Sequence, residues 1–264
     1  TMTELKVPII VSRSVYDGPT VLLTAGLHGD ELTGIEILRQ VIRRGINYPK
    51  CGTIICVPLV NVFGFVNQSR VFPDGRDLNR VFPGSQSGSL ASRFAYRIMH
   101  HIVPLVDYII DFHAGGRGRF IVPQIRIEPN NEELDGLAEA FSTHFILYSN
   151  NIEGSFRAAC DKLGKKYLLY EGGKALDINN DVIEEGLQGT IRFLDKLQML
   201  NNNFSVKEPT KEMVCIENST WVRAQYSGLL HNFVRPGTFV KTGMELGNIT
   251  DAYGLVEEPI LAPN

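Results

Sequence analysis

Over its first two hundred residues the chain alternates short apolar runs with longer stretches of helical period, and nothing else in it narrows the fold as much. Seven runs read as strands: Val7–Val11, Thr20–Ala25, Thr53–Val60, Tyr108–Phe112, Ile121–Ile127, Phe145–Tyr148 and Tyr167–Tyr170. They are rich in Val, Ile and aromatics and are bounded by Gly, Pro or polar residues. Between them Glu31–Arg44, Ser89–His101, Asn131–Thr143, Gly154–Leu163 and Val182–Leu200 read as helices. Leu32, Ile35, Leu38 and Ile42 recur at helical spacing, and Ser89 stands where an N-cap would. Largely apolar strands need cover on both faces. The pattern therefore predicts an α/β fold with a mixed, largely parallel sheet covered by helices.

The character changes at Asn201–Asn203, a polar triplet that reads as a linker. Beyond it short β-like runs are punctuated by Gly228, Pro236-Gly237, Gly243, Gly247 and Gly254, with no helical period. A large domain over residues 1–203 and a small all-β domain over 204–264 are expected, in keeping with 264 residues in total. Composition then removes function classes. Twenty-six Lys and Arg against 29 Asp and Glu leave no basic footprint for nucleic acid or an anionic membrane. No apolar run approaches the ~20 residues of a membrane span, and Thr1 to Tyr16 lacks a basic-then-apolar secretory pattern. Cys51, Cys56, Cys160 and Cys215 are too sparse for a disulfide framework, so a cytoplasmic protein is expected.

Four segments could carry chemistry. Thr24 to Glu31 follows an apolar strand and opens a helix. His28 and Glu31, three apart, can converge on one point if the segment is helical. The run Tyr108 to Gly116 ends a second strand in His113, and an α/β sheet collects its ligand sites at such strand ends. Two His and one Glu suit a catalytic zinc site, which keeps a fourth position open for water. Arg70 to Gly84 packs Arg70, Arg76 and Arg80 into a loop with Asn79, where guanidinium forks could bind a carboxylate or simply pair with Asp74 and Asp77. Tyr167 to Lys174 ends a further strand in Glu171, followed by two glycines. A Glu there could serve as general base and acid, or merely face solvent.

Taken together and in this order, His28-x-x-Glu31, Asp77-Leu78-Asn79-Arg80 with Phe82-Pro83-Gly84, Asp111-Phe112-His113 and Glu171-Gly172-Gly173 resemble the succinylglutamate desuccinylase/aspartoacylase family of the zinc carboxypeptidase group, over roughly Val21 to Leu200. The resemblance implies that His28, Glu31 and His113 hold one Zn2+ per chain and that Glu171 is the catalytic acid/base. It further implies that Asn79 and Arg80 bind the substrate carboxylate. Arg70 would polarise the scissile carbonyl, with Arg76 its competitor. From Trp221 onward the chain is similar to one half of the barrel-sandwich domains of biotinyl and lipoyl carriers, so an incomplete domain of that type is expected. Lys241 has no methionine directly beside it, and a carrier role is not expected. The segment would instead wall the active-site mouth or build a homo-oligomer interface.

The activity these readings imply is zinc-dependent hydrolysis of the amide bond of a small N-acyl amino acid, with ester hydrolysis by the same machinery. The alternatives are a metallocarboxypeptidase acting on peptides and a non-catalytic metal-binding protein.

Overall fold

The computed structural model describes residues 6–209 and 212–263. It divides into two compact units, residues 1–217 and 218–264. In the first, eight strands form one sheet: β1 (Ile10–Arg13), β2 (Thr20–Ala25), β3 (Thr53–Val57), β4 (Tyr108–Gly115), β5 (Ile121–Ile127), β6 (Phe145–Tyr148), β7 (Lys166–Lys174) and β8 (Val214–Ile216). Their order across the sheet is β1-β3-β2-β4-β7-β5-β6-β8. Neighbours run parallel except at β1/β3 and β5/β7. The mixed, largely parallel sheet expected from the sequence is therefore the one observed.

Helices cover both faces, as the apolar strands require. On one face α1 (Leu32–Arg44), α4 (Glu132–Phe141) and α6 (Asn180–Lys196) bury Ile37, Leu38, Phe141, Leu187 and Phe193 against Leu23, Ile110 and Leu168. On the other α3 (Leu90–His101) and α5 (Phe156–Asp161) press Ala95, Met99, Phe156 and Cys160 onto Leu22, Ile55 and Ile109. A short α2 (Val62–Val66) follows β3 and was not foreseen; Asn61 caps it by accepting from Gly64 N. Helix α1 reaches the sheet at Gly34, where a Cβ would meet the Phe112 carbonyl oxygen at 2.6 Å.

The chain passes from β2 to β3 on one side and from β3 back across to β4 on the other. That reversal is a topological switch point, where open α/β sheets leave a crevice at the strand carboxyl ends. β2, β4 and β7 lie side by side there, in parallel.

The expected division after residue 203 falls instead after 217. Val214–Ile216 joins the large sheet as a parallel edge strand beside β6. The second unit holds β9 (Leu229–Asn232), β10 (Glu245–Thr250) and β11 (Glu257–Leu261), an antiparallel sheet in the order β11-β10-β9. No helix among the described residues of either unit is long and apolar enough to cross a membrane.

Candidate metal centre and active site

The ends of β2, β4 and β7 bring His28, Glu31, His113 and Glu171 together. His28 and Glu31 do not share a helix. They close a turn by Glu31 N donating to His28 O at 3.2 Å, and Glu31 occupies the N-cap position of α1. With ψ of 80° it is not helical, so its carboxylate turns toward the sheet and caps nothing. The turn is held where the neighbouring Gly29 lies against α2, since a Cβ on Gly29 would meet Gly64 C at 1.9 Å.

Two imidazole nitrogens converge on this one carboxylate. His28 Nδ1 lies 2.7 Å from Glu31 Oε1 and His113 Nδ1 lies 2.9 Å from Glu31 Oε2. All three side chains are buried, with donor atoms within 4.8 Å of one another. The outward nitrogens are each tied to a further carboxylate: His28 Nε2 to Asp77 Oδ1 at 3.1 Å, and His113 Nε2 to Asp111 Oδ2 at 2.8 Å. Asp111 in turn accepts from Thr24 Oγ1 at 2.7 Å and from Tyr167 Oη at 2.6 Å. A carboxylate behind the imidazole is the arrangement that orients histidine ligands of metals and raises their basicity. The donor set therefore fits a divalent ion of zinc type, with oxygen and nitrogen ligands converging in a buried pocket.

Electrostatics point the same way. Burial disfavours the charged forms of both His28 and His113, yet Glu31, with Asp77 and Asp111 respectively, outweighs it and raises both imidazoles. Burial likewise pushes Glu31 up, but the two histidines hold it well below the usual carboxylate range. Positive charge is thus favoured at the point where the three side chains meet.

Arg70 joins the cluster through Nη1 to Glu31 Oε1 at 3.1 Å and through Nε and Nη2 to Asp77 Oδ2 at 3.0 and 2.9 Å. Arg76 is exposed and faces Asp74 at 3.3 Å. Of the two competing arginines, Arg70 is the one at the centre. Asp77 also caps the 3-10 turn Leu78–Arg80 by accepting from Asn79 N at 2.9 Å, so one residue links His28, Arg70 and Asn79. Asn79 Oδ1 accepts from Phe156 N at 2.8 Å, which leaves its amide nitrogen as the donor for a ligand. Arg80 is exposed and donates to Asn79 O at 2.7 Å.

Glu171 pairs in register with His113 across β4 and β7, so both side chains leave the same face of the sheet. It is partly buried and meets Arg126 Nη2 of β5 at 3.3 Å. Arg126, Asp111, Tyr167 and Thr24 were assigned no role from the sequence. Arg157 was also missed. Its guanidinium is buried, spends Nη2 on the Ser149 and Asn150 carbonyls, and leaves Nη1 without a hydrogen bond.

A buried His-Glu-His group at the switch point of a helix-covered parallel sheet, with cations and a flanking carboxylate around it, defines the class as metallohydrolase-like. The family model described as the succinylglutamate desuccinylase/aspartoacylase catalytic domain matches residues 17–197, and the chain belongs to that family, whose members are amino-acid deacylases. N-alpha-acetyl-L-2,4-diaminobutyric acid deacetylase of Halomonas elongata is 30% identical over 258 residues, covering 93% of this chain and 74% of that protein. The fold matches a succinylglutamate desuccinylase/aspartoacylase from Rhodobacter sphaeroides with a TM-score of 0.85 at 24% identity, over 98% of this chain and 82% of that one. It also matches the product-bound ectoine utilization protein EutE (DoeB) from Ruegeria pomeroyi, with a TM-score of 0.84 at 23% identity over 97% and 80%.

Proposed function

We propose that this protein is a zinc-dependent deacylase that hydrolyses the amide bond of a small N-acyl amino acid. The observation that carries the reading is the convergence of His28 Nδ1 and His113 Nδ1 on Glu31, one strand away from Glu171. The deacetylase activity named for the Halomonas elongata relative supports the substrate class. His28, Glu31 and His113 would hold one zinc per chain, which when bound supplies a Lewis acid and acidifies water.

The protein's own groups do the rest. Asn79, through its free amide nitrogen, and Arg80, at the rim, bind the carboxylate of the amino acid and set the amide bond over the centre. Arg70, held in place by Asp77, offers its guanidinium to the acyl oxygen as negative charge develops there. Glu171, steadied by Arg126, takes the proton of the attacking water and returns it to the departing amine nitrogen. Esters, whose leaving group needs less help, should be cleaved by the same groups. The four cysteines are free thiols, which suits a reducing cytoplasm.

The test is metal analysis of the purified protein beside a panel of N-acyl amino acids and short peptides. About one zinc per chain, with chelator-sensitive hydrolysis of an N-acyl amino acid, is expected. Cleavage of peptides alone would replace the reading with a metallocarboxypeptidase. Metal bound without any hydrolysis would leave a non-catalytic binding protein.

A further inference from the structure

On the sheet face away from α1 and α6, a cavity of about 320 Å3 lies between β2, β3 and α3. Its inner wall is apolar and buried: Leu22, Leu27, Val57, Val60 and Phe156. Thr24 also lines it, but its hydroxyl is already committed to Asp111. The size lies at the lower end of the range of small-molecule sites, roughly 300–1,000 Å3. Its apolar lining offers water few hydrogen-bond partners and suits a hydrocarbon chain.

The polar part of the lining is confined to one side. Arg97 and His101, one turn apart on α3, line the cavity beside Phe94 and Ile98. Both are exposed. Among the described residues no carboxylate forms an ion pair with Arg97. Basic side chains toward a helix C-terminus suit its dipole, but that role does not require Arg97 and His101 to border an apolar hollow. Phe156 lines the cavity with its ring packed on Phe82 and Tyr167 at centroid distances of 4.8 and 5.7 Å, and none of His28, Glu31, His113, Arg70 or Glu171 is part of the lining.

We propose that this cavity is a second ligand site, distinct from the catalytic one, for a linear aliphatic carboxylate whose chain lies against Leu22, Val57 and Ile98 and whose head group meets Arg97 and His101. The chemistry is that of a medium-chain fatty acid: an apolar wall for the chain and, at the rim, the Arg97 guanidinium for one negative charge with the His101 imidazole beside it.

Titration calorimetry of the full chain with octanoate tests it. One site per chain is expected, with octan-1-ol binding more weakly. Arg97→Gln lies on the surface and should weaken octanoate roughly tenfold, the effect of losing one charge-assisted hydrogen bond. Ile98→Phe should fill the hollow and abolish binding while the protein still melts cooperatively. If that variant fails to fold, the Arg97→Gln result decides. Arg80→Ala, which alters only the catalytic side, should bind octanoate as the wild type does. No binding, equal binding by Arg97→Gln, or binding lost in Arg80→Ala would each overturn the proposal, the last by moving the carboxylate into the catalytic site.

Discussion

Glu171 and His113 are 58 positions apart in the chain yet leave the same face of neighbouring strands, and on that pairing the proposed chemistry depends. Glu171→Gln keeps the shape and removes the proposed base. It should lower kcat by about 10²–10⁴ with metal content unchanged, because Glu171 is not among the converging donors. Retained turnover in that variant would sink the mechanism. The two loop arginines separate in the same way. Arg70→Ala should cost about 10²–10³ in kcat/KM if its guanidinium meets the developing negative charge, whereas Arg76→Ala, which removes only a surface pair with Asp74, should stay within a few-fold. Equal losses would mean that the loop acts as a whole. His28, His113 and Glu171 were legible because each stands at the end of an apolar strand run and is followed by a small residue, and Glu31 by its spacing of three from His28. Asp111, Tyr167, Thr24 and Arg126 were not, because their roles depend on which strands lie side by side. Asp111 reads as one polar residue inside a strand until β7 places Tyr167 against it.

At the scale of elements, the strands flanking the site were read nearly to their ends. β2, β5 and β6 have the bounds that the apolar runs suggest, while β4 and β7 run three and four residues further, into their glycines. Those extra residues carry the site, and glycine reads as an end of strand even where a bulge lets pairing resume, as between His113 and Gly115. The five residues of α2 are too few to show a period, yet they form the surface on which the His28 turn rests. Gly29→Ala should therefore be severely destabilising, since its Cβ would fall on the backbone of Gly64 and Phe65, which cannot yield as a side chain can. Gly136, inside α4 with nothing within 4 Å of a built Cβ, is the control. Gly136→Ala should raise stability by about 0.5–1 kcal/mol through helix propensity. Chemical denaturation of both variants checks the contrast, and similar midpoints would show that the backbone contact at Gly29 is not needed.

Across the whole molecule, polarity marked the wrong boundary. Asn201–Asn203 does end the helical region, but the chain then returns to give the large sheet its last strand, and a three-residue strand with exposed Cys215 at its centre has no periodicity to announce it. Every residue of the two apolar clusters falls within residues 1–217, with Phe204 and Met213 packed against the larger one. All the site residues lie between His28 and Glu171. A chain ending after Glu217 should consequently unfold in one cooperative transition and bind zinc as well as the full chain does. A chain ending after Asn203 loses β8 and both of those apolar contacts, leaving β6 as a bare edge. It should melt lower by about 2–4 °C for each kcal/mol forfeited and aggregate more readily through that edge. Differential scanning calorimetry of the two truncations distinguishes the boundaries: if both melt alike, the β8 strand contributes nothing and the division belongs after the asparagines.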